Sequence, residues 1–171
     1  MQKILFALII ITFFLFGCVS DPQVDNPANA NDFEFTYSFG VFSDNLFDTE
    51  TNSYTKDMVC EEDIQYTLEL SEQEKQTILK KIIENNLLFG KSDFTENCGA
   101  LGDCMNVDPQ SGNDLKLKID GVEKNFTYRN NYYNSNDPEL KKYLEVTELI
   151  EQIIREKETQ ANIPQPTCGY M

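Results

Sequence analysis

Apolar and polar residues alternate from Phe33 onward. Phe33, Phe35, Tyr37, Phe39 and Val41 interleave with Glu34, Thr36, Ser38 and Gly40. Period two predicts a strand with one face buried. Residues 43–45 supply turn chemistry, residues 53–59 predict a second strand, and Ile64, Tyr66, Leu68 and Leu70 predict a third. The period then changes. Ser71-x-x-Glu74 is a capping box, Glu72 and Glu74 suit a helix N-terminus, and Ile78, Leu79, Ile82 and Ile83 share one face before Asn85-Asn86 ends the helix. Residues 90–113 have no period. Leu115, Leu117 and Ile119, then Asp120-Gly121, then residues 122–128 predict a hairpin, because a type I′ turn needs positive φ. Asp137-Pro138 reads as N-cap and first helical residue. Leu140, Tyr143, Leu144, Thr147, Ile150, Ile153 and Ile154 line the helix that follows, to near Glu158.

The order is therefore βββ-α-ββ-α. Hairpin-type links and few helices predict an α+β fold: an antiparallel sheet of about five strands with both helices packed on one face. No fixed-period repeat is present.

The first thirty residues follow another rule. A lysine precedes residues 4–16, an apolar run broken only by Thr12. As a helix it would reach about 20 Å, short of the roughly 30 Å bilayer core, so it predicts a signal peptide over residues 1–17 and not a span. Leu15-Phe16-Gly17-Cys18 resembles the lipobox of prokaryotic lipoproteins, with Phe16 where a small or β-branched residue is usual. That resemblance implies cleavage before Cys18 and thioether lipidation of its sulfur. Residues 18–31 then form the lipidated cysteine and a flexible tether rich in Asp, Asn, Pro and Ala, reaching roughly 40 Å if extended. Residues 32–171 form a single domain. The expected location is the extracytoplasmic side of a cell membrane, through a lipid anchor.

Composition narrows the chemistry. The net charge is −15, and loss of Lys3 with the leader makes it −16. Nucleic acid is excluded as a partner, since phosphate binding needs clustered cations. An acidic body is also repelled by anionic headgroups. The absence of histidine removes Ser/His/Asp and Cys/His nucleophile systems and every imidazole metal site. With Cys18 lipidated, four of the five cysteines remain. An even number outside the cytoplasm predicts disulfides, with three possible connectivities. Cys98 and Cys104 enclose a short glycine-containing loop that closes easily, which leaves Cys60 with Cys168.

The remaining candidates are weaker. Asp44, Asp48 and Glu50, and Asp93, Glu96, Asp103, Asp108 and Asp114, form acidic clusters without the offsets of a calcium loop. No metal or cofactor is expected from them. Asn125-Phe126-Thr127 matches a glycosylation sequon, read as accidental in a strand. Tyr128, Tyr132 and Tyr133 flank a loop and offer either a partner-binding surface or packing beneath it.

The assembled segments resemble an uncharacterised group of prokaryotic secreted lipoproteins. The resemblance lies in Tyr37-Ser38-Phe39-Gly40-Val41, in Tyr54-Thr55-Lys56-Asp57-Met58, in the 68–74 strand-to-helix junction, in Ile119-Asp120-Gly121 and in Pro164-x-Pro166-x-x-Gly169-Tyr170-Met171. It implies a lipid-anchored α+β domain and assigns no activity and no catalytic residue. The function expected is non-catalytic binding of a protein or cell-envelope partner. A small carboxylate-based hydrolase, with or without calcium, and a structural surface spacer are the alternatives.

Overall fold

The computed structural model describes residues 32–99, 101–104 and 106–170. The expected signal peptide, Cys18 and the tether lie outside the described residues.

The chain is α+β, and the described residues form ten elements in this order. Strands β1 (Phe33–Val41), β2 (Asn45–Asp48), β3 (Ser53–Lys56) and β4 (Ile64–Thr67) precede helix α1 (Glu72–Glu84) and a 3-10 turn (Leu87–Phe89). Strands β5 (Asp93–Phe94), β6 (Ser111–Ile119) and β7 (Val122–Arg129) follow, and helix α2 (Pro138–Gln160) comes last. One seven-stranded sheet runs β4-β3-β2-β1-β6-β7-β5. The sheet is mixed: β5 pairs parallel with β7, and the other pairings are antiparallel. The expected five-strand antiparallel sheet thus gains two strands and loses its uniform direction. The predicted strand over 53–59 stops at Lys56, and Asn45–Asp48 forms the additional β2.

Register explains the core. Tyr66, Tyr54, Phe47, Tyr37, Leu115 and Phe126 lie opposite one another on successive strands, from β4 to β7. They form one lateral row on the buried face, with Phe33, Phe35, Leu117 and Ile119 below it. Helix α2 runs along this row. Tyr143 stacks on Phe126 at 5.3 Å, Glu151 accepts a 2.7 Å bond from the Tyr37 hydroxyl, and Glu158 accepts a 2.6 Å bond from the Tyr54 hydroxyl. Eight and then seven residues separate these positions, about 12 and 10 Å of helix. Two strand spacings are roughly 10 Å. The helix repeat and the sheet spacing therefore agree, and α2 can touch every second strand with the same side.

Helix α1 lies antiparallel to α2: Lys157 pairs with Glu74, Lys81 with Glu145, and Asn85 donates to the Lys142 carbonyl. It sits toward the ends where β1 and β7 begin. Lys75 reaches Glu34 at 3.0 Å, and Lys124 donates to the carbonyls of Leu88 and Gly90. The capping box forms as expected, Ser71 Oγ accepting from the Glu74 amide and Glu74 from the Ser71 amide. Ser71→Ala should cost about 1 kcal/mol in urea unfolding, the usual loss for a capping hydroxyl; an unchanged midpoint would show that packing alone sets the helix start. Asn85 and Asn86 end α1, Asn86 at φ 54°. Asp120 and Gly121 turn the β6–β7 hairpin at φ 47° and 80°.

The opposite sheet face is polar. Thr36, Ser38, Asp114, Lys116, Asn125 and Thr127 carry it, and Lys116–Glu123 and Arg129–Asp114 pair across it. Among the described residues no helix is long and apolar enough to cross a membrane.

Candidate functional site

Strand direction sorts the loops. β1, β3, β5 and β7 run one way, and β2, β4 and β6 run the other. The segments around Phe42–Ser43, residues 57–63, residues 95–110 and residues 130–136 therefore emerge at one end of the sheet. Both disulfides are there. Cys60 bonds Cys168, and Cys98 bonds Cys104, the pairing that spacing predicted. The smaller loop is also closed by Gly99 N–H to Asp103 O at 2.7 Å and Gly102 N–H to Gly99 O at 2.9 Å. It presents Leu101, which is 92% exposed.

The Cys60–Cys168 bond folds the C-terminal tail back over the sheet and completes a cleft of about 260 Å³. Phe39, Val41, Val59, Ile154 and Pro166 supply apolar walls, and Tyr54, Lys56, Asp57, Arg155, Glu158, Gln165 and Tyr170 supply polar groups. Three of the segments that carried the resemblance meet here, from β1, from β3 and from the tail.

The floor is a buried ion pair. Lys56 points inward because it shares the register of Tyr54, two residues earlier on β3. Glu158 points inward because it lies one helical turn beyond Ile154, on the apolar stripe of α2. Their side chains are 6% and 9% exposed, and Lys56 Nζ lies 2.8 Å from Glu158 Oε1. The same oxygen accepts from Tyr54, and Lys56 also donates to Gln165 Oε1 at 2.9 Å. Burial first, then the bond to Glu158, pushes the Tyr54 hydroxyl far above its ordinary range, so it stays a donor. Glu158 Oε2 accepts from none of the described residues. As a cleft-lining residue, Glu158 can offer that oxygen to an occupant.

The mouth is held by the tail. The Tyr170 hydroxyl donates to Asp57 at 2.6 Å, and its ring meets Phe42 edge-on at 6.0 Å. The Asp57 bond, with burial second, raises the Tyr170 hydroxyl above the usual tyrosine range. Thr167 donates to Glu61 at 2.8 Å. Arg155 is 63% exposed and bonds Glu151 at 3.3 Å.

The sequence-predicted residues are placed elsewhere. Tyr132 is 3% exposed: it stacks edge-on with Phe94, donates to Asp137 and accepts from Lys91. Tyr128 is half-buried against the core, and Tyr133 alone of the three is largely open, at 40%. Of the three rings, Tyr133 is therefore the most exposed. The acidic residues are dispersed: Asp48 caps the amides of Glu50 and Thr51, Asp93 caps Thr95, and Asp114 pairs with Arg129. Among the described residues no group of three His, Cys, Asp or Glu side chains could hold a metal ion. Lys56 and Glu158 escaped the sequence reading, since charged residues default to the surface. Their signal was positional, a lysine on an inward strand register and a glutamate extending an apolar helix stripe.

No protein-family model matches the chain, and no curated protein matches it.

Proposed function

We propose that this chain is a lipid-anchored extracytoplasmic domain that binds a protein or cell-envelope partner through its loop end. The observation that supports the reading best is the pair of closed disulfides at the loop end, one of them beside the cleft. Such bonds persist in oxidising compartments, and here they brace loops instead of the core. The chain enters β1 at Asp32, which exchanges bonds with Asp120 at the hairpin end. The cleft opens at the other end of β1, nine residues away. An anchor at Cys18 would therefore attach at the end opposite the cleft, and its flexible tether would leave the cleft free to meet a partner.

The cleft suits holding a group more than cleaving one. Glu158 Oε1 is committed to Lys56 and Tyr54, and Asp57 to Tyr170 and the Val59 amide. A carboxylate-based hydrolase needs an acid and a base freer than these.

Mass spectrometry of the native protein tests the anchor. The N-terminal peptide should begin at Cys18 and carry a diacylglycerol adduct; a mature form beginning elsewhere, without lipid, would refute it. Alkylation without reduction should leave Cys60, Cys98, Cys104 and Cys168 unmodified. Four alkylated thiols would remove the argument for the compartment.

A further inference from the structure

We propose that the cleft beside Lys56 and Glu158 receives one lysine or arginine side chain from a basic protein partner. The inference rests on the binding role proposed above and gives it a ligand chemistry. A long cationic side chain has an apolar stem and a charged tip. The cleft has the matching division: Val41, Phe39, Ile154 and Pro166 form its walls, and Glu158 lies at its floor.

The open acceptor is specific. An ionised carboxylate has about four lone-pair sites on two oxygens. Lys56 and Tyr54 use Oε1 only, and Oε2 is left for an incoming N–H. A second cation on Oε2 is repelled by Lys56 across the carboxylate, and further negative charge in the cleft offsets that repulsion. Asp57 lines the same cleft. Arg155, at its wall, is bonded to Glu151 and turned largely to solvent.

The surroundings favour a cation. From Asp57 to Glu74 the chain contains no lysine or arginine, and neither does the stretch from Ser92 to Leu115. Both stretches contribute loops to this end, with Glu61, Glu62, Asp63, Glu96, Asp103 and Asp108. The whole chain carries −15. A single-sign field of this kind concentrates and steers oppositely charged partners. Phe42 and Leu101, 59% and 92% exposed at the same end, give such a partner apolar contact beyond the charge.

The test uses the full chain in detergent micelles and a hexalysine peptide bearing one tryptophan. The protein has no tryptophan, so the emission reports on the peptide alone. The peptide should bind, and its affinity should fall as salt rises. Glu158→Gln should weaken it at least tenfold, whereas Glu148→Gln, the same change in charge on the exposed side of α2, should stay within twofold. Val41→Phe narrows the cleft without touching the ion pair and should also weaken binding at least tenfold; it carries the test if Glu158→Gln fails to fold. Equal losses for Glu148→Gln and the cleft variants would overturn the proposal, as would tighter binding of a hexaglutamate peptide. A native envelope partner captured equally well by wild type and Val41→Phe would also overturn it, while leaving the broader binding role intact.

Discussion

Replacing Cys60 and Cys168 together by serine should lower the free energy of unfolding by about 4 to 5 kcal/mol. The bond closes a loop with a sequence separation of 108 residues, and the chain-entropy model assigns roughly that stabilisation to a loop of this size. The comparison with the second bridge makes the prediction sharper. Cys98 and Cys104 are six apart, for which the same model gives about 2 kcal/mol. Urea unfolding of the two double variants should therefore rank them in that order. The opposite ranking would mean that the Cys98–Cys104 bridge stabilises through native contacts and not through the unfolded chain. The Cys60/Cys168 variant should also free Tyr170 and Thr167 from Asp57 and Glu61, since the tail's bonds to those residues are solvent-exposed. Faster amide exchange across residues 163–170, with α1 unchanged, is the expected local signature.

The second large effect lies beneath that tail. Lys56→Met should cost about 3 to 5 kcal/mol, because it leaves Glu158 buried with only Tyr54 as a donor. The double variant Lys56→Met/Glu158→Leu should recover most of this loss and fall within about 2 kcal/mol of wild type. Removing both charges removes both desolvation costs, and only the Tyr54 hydroxyl loses its partner. A thermodynamic cycle in which the two single changes simply add would show that the pair is uncoupled and its burial incidental. The expected non-additivity also bears on function. If an apolar pair would be nearly as stable, the charges are retained for something other than folding.

Much of the fold was legible because it is local. The alternation from Phe33 to Val41, the Ser71/Glu74 capping box, the Asp120-Gly121 turn and the Asp137-Pro138 helix start each express chemistry within a few residues. All four appear where they were expected. The two extra strands are not local in that sense. β2 is Asn-Leu-Phe-Asp, with Phe47 as its only fully buried side chain, and it makes sense only between Tyr37 and Tyr54. β5 is two residues long and is defined by parallel pairing with β7, more than thirty positions away. The site was illegible for a related reason. Glu158 looks like an ordinary charge near the end of a helix until Lys56, 102 residues distant, is placed over it. The tyrosines at 132 and 133 looked equivalent in sequence, and Lys91, Phe94 and Asp137 drew one of them inward.

The placement of β1 has a mechanical consequence. This strand is central, bonded along nine positions to β6 on one side and along four to β2 on the other. Its first residue lies at the hairpin end, and the cleft opens beyond its last. With the anchor and partner proposed above, tension between membrane and partner would run parallel to the strands. The β1–β6 ladder would then be loaded in shear, its hydrogen bonds sharing the force together. Pulling across the strands would instead peel those bonds apart one after another. A surface protein arranged in this way resists extension along the axis on which it would be pulled, and the closed Cys60–Cys168 loop keeps the far end from unravelling first.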